Sequence, residues 1–127
     1  MGITWKYVKP LREANAVKNF LEQHGVNLPA RLIEIMENYN GGRPSEKAII
    51  TASQREYVFK SMLSYNRNDK ETIYCVYPDL FKESSLFPIA SDSAGNFICY
   101  DLKLKMYALY NHETDQCEAI TNNIFEL

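Results

Sequence analysis

No run of apolar residues in this chain approaches the ~18–20 needed to cross a bilayer, so the sequence predicts no membrane span. Cysteine is scarce, with Cys75, Cys99 and Cys117 only. An odd count in a chain of 127 residues, long enough to bury a full core, is not a disulfide framework. Histidine is scarcer still, and His24 and His112 make a poor zinc ligand set. Excess charge is also missing. Fourteen Lys and Arg against 16 Asp and Glu leave a net charge of −2. They form no cluster of the kind that grips a phosphate backbone, which argues against direct nucleic-acid binding. The opening "MGITWKYVKP" has no apolar h-region, which predicts no signal peptide. Position 6 is Lys6, where a myristoylation signal after Gly2 needs Ser or Thr. These absences predict a cytoplasmic protein with reduced thiols.

What remains is ordinary globular material: 46% hydrophobic and 24% charged residues, read as one domain over residues 1–127. Nine tyrosines suit strands and recognition surfaces alike. Charge is uneven along the chain. Residues 1–47 carry seven basic and five acidic side chains, while residues 86–127 carry two basic and six acidic ones. An acidic C-terminal third reads as a solvated surface or as a face for a basic partner.

Periodicity places the elements. "REANAVKNFLEQHG" (12–25) predicts a helix with Ala14, Val17, Phe20 and Leu21 on one face and Gly25 as its stop. "LPARLIEIMENYNGG" predicts a second, with Leu28, Leu32, Ile35, Met36 and Tyr39 as its stripe. Pro29 suits its first turn, and Asn40-Gly41-Gly42 a left-handed exit. Strands are expected over 47–52, 55–65, 86–91, 97–101 and 105–111. In the second of these Tyr57, Phe59, Leu63 and Tyr65 face one way. Residues 70–78 read as a short helix that Pro78 ends. Thr121 would cap a last helical turn, "NNIFEL". Helices followed by antiparallel strands with a helix inserted make an α+β domain.

Candidate chemistry is thin. "SDSAGN" (91–96) offers Asp92 and Asn96 as cation ligands, yet the distal position of a calcium loop would fall on Leu104. One Gly with no following Lys-Ser/Thr is no phosphate cradle. As a hairpin turn the stretch makes sense: Asp92 caps its own loop, and Gly95 and Asn96 tolerate positive φ. His112, Glu113 and Cys117 lie within six residues of one another, but the sequence offers neither a placed base nor a reason for an activated thiol, and they read as loop residues near a strand end. Cys99 reads as a small core residue. Trp5 reads as an anchor that packs the N-terminal arm onto the domain. No catalytic, metal or cofactor site follows from these residues, and the chain is read as a non-enzyme.

The order of the pieces does carry a signal. Leu28-Pro29, Asn40-Gly41-Gly42, Pro88-Ile89-Ala90, Asp92, Gly95-Asn96 and His112-Glu113 follow one another in a pattern that resembles the SUKH superfamily. The resemblance runs from about residue 13 onward and is poor over 66–85. It implies an α+β fold with an antiparallel sheet of five to six strands flanked by N-terminal helices. It implies a cytoplasmic immunity protein of a bacterial polymorphic or contact-dependent toxin system, which binds and neutralises a cognate toxin domain such as a nuclease. The alternative it implies is a non-enzymatic regulatory or scaffold domain, as in eukaryotic relatives that act in cell-wall assembly. The shared motif is structural, so no catalytic residue carries over. For partner binding the acidic face of Asp92, Glu113, Asp115 and Glu118 is expected, with Tyr107, Tyr110, Tyr57 and Tyr65 as aromatic anchors where exposed.

Overall fold

A computed structural model describes residues 3–125. A two-residue strand β1 (Trp5–Lys6) precedes helices α1 (Ala16–His24) and α2 (Ala30–Asn38). Then come β2 (Arg43–Pro44), β3 (Ala48–Ile50) and β4 (Glu56–Met62). A short helix α3 (Ile73–Val76) runs into a wide π-helical turn, Tyr77–Phe81. Four strands complete the chain: β5 (Leu86–Asp92), β6 (Phe97–Asp101), β7 (Met106–Asn111) and β8 (Gln116–Ala119). β1 and β2 pair as a small ribbon, and β3 to β8 form one six-stranded antiparallel sheet in sequence order. The α+β reading holds, with helices mostly N-terminal.

The sheet curls until its ends meet. Beyond β8, Ile120 bridges Thr51 just after β3. Thr121 N–H donates to Ile50 O at 2.8 Å, and Ala52 N–H to Ala119 O at 2.9 Å. Asn122 extends this contact with its side chain, accepting from Ile50 N–H and donating to Ala48 O, each at 2.8 Å. The edge of β3 is therefore occupied, which removes a template for aggregation.

The helices form around the centres of the predicted stripes, with Leu28 lying before α2 and Tyr39 capping its end. Ala16, Val17, Phe20 and Leu21 are the buried face of α1, and Gly25 ends it at φ 64°. Leu32, Ile35 and Met36 are the buried face of α2. Phe20 meets Tyr65, Tyr74, Tyr77 and Phe87 at 5.4–6.2 Å, so one aromatic side chain joins α1 to the strand layer. Trp5 stacks on Tyr39 at 5.1 Å and meets Phe59 edge-on at 6.0 Å, so it does anchor the N-terminal arm.

Several expectations fail for local reasons. Ala14 is exposed in a turn before α1. Pro29 is the cap of α2 rather than a first-turn residue. Pro78 does not end its helix: it sits in the first turn of the π segment, where no N–H is required of it. β4 stops at Met62, and a register shift between Phe59 and Ser61 breaks its alternation. The 91–96 turn departs from no expectation: Gly95 takes the left-handed φ, 87°, and Asn96 is not required to. Residues 122–125 are not helical, and Thr121 Oγ1 donates to Ile50 O instead. The rest of that expected helical turn, Glu126 and Leu127, lies outside the described residues. β8 was not foreseen: Cys117 lies in a strand, not a loop.

Candidate functional site: the β7–β8 hairpin

Asn111 and Gln116 close the hairpin as its last pair. Asn111 Oδ1 accepts the N–H of Glu113 at 2.9 Å and of Thr114 at 3.3 Å, so its side chain shapes the turn. Asp115 takes φ 55°, a left-handed conformation that Asp tolerates better than most residues. Its N–H returns to Asn111 O at 2.9 Å. Tyr110 O–H donates to Asp115 Oδ1, and that bond, with the carboxylate charge beside it, raises the Tyr110 pKa. One anion and one aromatic ring are thus tied at the turn. Glu113 stands exposed beside them.

Glu118 is different. It is half-buried, opposite Leu109 on β7. Ser53 Oγ donates to its Oε1 at 2.9 Å. Hydrogen bonding from Thr51 is the largest influence on its pKa, followed among the lowering ones by Ser53 and the Arg55 charge, and together they hold it below the usual value. Arg55, Tyr57, Asn111, Gln116 and Glu118 line a shallow cleft of about 290 Å³ there. Glu118 therefore joins β8 to the β3–β4 turn, and its charge faces a cation. Arg55 and Gln116 carry no signal in the sequence, because their place at the hairpin depends on closure of the sheet.

Three of the expected contact residues do not join this surface. Asp92 is only 2% exposed, and both of its oxygens are engaged by its own loop. Oδ1 accepts from the N–H of Ala94 at 3.0 Å and of Asn96 at 2.6 Å, and Oδ2 accepts from Asn96 Nδ2 at 3.1 Å. Asn96 Oδ1 in turn accepts the His112 N–H at 3.1 Å and lies 2.8 Å from its Nδ1. Asp92 thus supports the hairpin from below instead of forming part of its acidic face. Tyr65, at 4% exposure, is interior. Tyr107 packs between Tyr100 and Phe125, and burial pushes its pKa up to about 12. The structure brings together Tyr110, Glu113 and Asp115, with Glu118 and Tyr57 in the adjoining cleft.

Burial raises the Cys99 thiol well above its ordinary pKa. Among the described residues no three His, Cys, Asp or Glu side chains converge as a metal site, and no helix is long and apolar enough to cross a membrane.

The motif residues have structural work instead. Asn40 is fully buried, Gly41 takes φ 68°, and a Cβ on Gly42 would lie 2.9 Å from Tyr39 O. Pro88, which has no N–H, stands where the β5–β6 register shifts, between Pro88 and Ala90. No curated protein and no solved structure matches the chain. A family model, SUKH_6, described as SMI1-KNR4 cell-wall, matches residues 15–127. With that match over most of its length, the chain belongs to the SUKH superfamily.

Proposed function

We propose that this chain is an immunity-type protein, a non-enzymatic cytoplasmic inhibitor that binds one cognate toxin domain and blocks it. Family membership supports the class of protein, and the β7–β8 hairpin carries the reading on this chain. Residues 106–125 hold Glu113, Asp115 and Glu118 and no Lys or Arg. Glu113 and Asp115 are exposed, and neither takes part in an ion pair among the described residues. Uncompensated carboxylates around a fixed tyrosine suit a basic partner, and a nuclease domain with a Lys/Arg-lined groove is such a partner. Opposed potentials speed encounter and exclude wrong partners. Tyr110 and Tyr57 supply the aromatic contact from which hot spots are built.

The test is capture of the tagged chain from its source cells, followed by co-expression with the captured protein. A stoichiometric partner whose isolated domain is toxic, with growth restored by this chain, supports the reading. The double variant Glu113→Lys/Asp115→Lys should then bind at least roughly tenfold more weakly, as charge reversal at an interface does. Unchanged affinity removes this face. Absence of any rescued toxin removes the immunity role. The matching family's cell-wall description favours a second reading, a regulatory scaffold. That reading predicts several partners of modest affinity in the same capture.

A further inference from the structure

A pocket of about 420 Å³ opens between the start of α1 and residues 65–74. Arg12, Phe20, Gln23, Tyr65, Arg67 and Tyr74 are on its wall, and none of them belongs to the β7–β8 hairpin. The Tyr65 hydroxyl is buried with no hydrogen-bond partner, the one such side-chain atom among the described residues. An unmade hydrogen bond inside a protein is destabilising and rare. Asn66, next to it, shows the usual state: its Oδ1 accepts Arg12 N–H at 2.9 Å, and its Nδ2 donates to Pro10 O at 3.0 Å.

The same pocket wall carries a cation. The Arg67 guanidinium lies over the Tyr74 ring, 3.9 Å from its centroid. Tyr74 is itself held, because its O–H donates to Tyr65 O at 3.2 Å and its ring meets Phe20 edge-on. Stacking restrains the guanidinium while leaving its N–H edge available for a bidentate acceptor. Neither Arg67 nor Arg12 forms an ion pair among the described residues. Glu13 is the single carboxylate on the wall, so donors and positive charge are in excess.

We propose that this pocket binds a small organic or inorganic anion through a carboxylate or phosphate group, held by the fork of Arg67 with Arg12 nearby and by the Tyr65 hydroxyl. The ligand's apolar part, where it has one, rests on Phe20 and Tyr74. Bulk water does not reach the hydroxyl in the free chain, so binding includes a small shift of the aromatic wall. This site is independent of the immunity reading.

Thermal unfolding and calorimetric titration with sodium benzoate and with sodium phosphate, each against sodium chloride at equal ionic strength, test it. A saturable rise in Tm with one probe is expected, because a ligand bound only by the folded state stabilises it. Benzoate alone assigns a carboxylate, and phosphate alone a phosphate. Tyr65→Phe should keep the free chain's Tm or raise it, since no hydrogen bond is lost, yet weaken probe binding roughly tenfold. Arg67→Gln should weaken binding at least as much. The proposal is overturned if neither probe exceeds chloride, or if both variants bind as the parent does. It is also overturned if Tyr65→Phe lowers Tm without any probe, because the hydroxyl then already has a partner such as a trapped water.

Discussion

The side chain of Asn40 supplies the hydrogen-bond partner of the Tyr65 backbone N–H just beyond β4. Its Oδ1 accepts the Tyr65 N–H at 2.7 Å, and its Nδ2 donates to Lys9 O at 2.8 Å and Ser64 Oγ at 3.1 Å. One fully buried amide therefore joins the N-terminal arm, the end of α2 and the residues beyond β4. Asn40→Asp exchanges two donors for a buried charge facing the Lys9 carbonyl. Urea unfolding should show a loss of about 2–4 kcal/mol. A loss under about 0.5 kcal/mol, the range of ordinary surface substitutions, would mean that water replaces the amide readily.

Gly42 is predicted to be irreplaceable for a steric reason. An added Cβ would meet Tyr39 O at 2.9 Å, Val8 Cγ2 at 3.1 Å and Trp5 Cε3 at 3.2 Å. The first of these is backbone and cannot swing away. Gly42→Ala should cost about 1–3 kcal/mol, the usual penalty of overpacking. The one tryptophan reports on the event, because Trp5 must leave its stack on Tyr39 for the arm to shift. A red shift in emission is expected, and unchanged emission with unchanged stability would contradict it.

The Asp92 loop gives a third prediction. Asp92→Ala removes the acceptor for two backbone N–H groups and for Asn96 Nδ2. Asn96 then loses its hold on His112 at the base of the hairpin. A loss of about 2–4 kcal/mol is expected from three orphaned donors. Faster hydrogen exchange should follow at Asn96 and at His112. Exchange accelerated at Asn96 alone would show that the hairpin holds its shape without this support.

These three sites also mark what the sequence could tell. Asn40, Gly42 and Asp92 stood out because buried polar residues and special backbone positions demand particular residue types, and those demands leave local patterns. Helices α1 and α2 were legible for a similar reason, since their apolar spacing is regular. The acidic patch was only half legible. Charge along the chain pointed to Glu113 and Asp115 but could not separate them from Asp92, whose carboxylate is taken up by its own loop. Arg55 reaches Glu118 only because the sheet curls and joins Ile120 to Thr51, a contact between segments far apart in sequence. The bulge at Phe59–Ser61 likewise answers to β5, not to the residues of β4.

Alkaline unfolding is the last prediction. Folding raises the pKa of Tyr107 to about 12 through burial, with the neighbouring Tyr100 adding to it. Burial also raises Tyr65 and Cys99 well above their ordinary values. In each case the unfolded chain releases its proton first. The stability these groups contribute is complete below their unfolded pKa values and is lost as pH climbs toward the folded ones. Stability should therefore hold near neutrality, begin to fall as pH passes the ordinary thiol value of about 8.5, and fall more steeply above about pH 10. Tyr107→Phe keeps the ring between Tyr100 and Phe125 but removes the ionisable group. Its urea midpoint should decline less than that of the parent chain between about pH 10 and 12. Parallel declines in the two proteins would show that the Tyr107 hydroxyl ionises as freely in the folded chain as in the unfolded one.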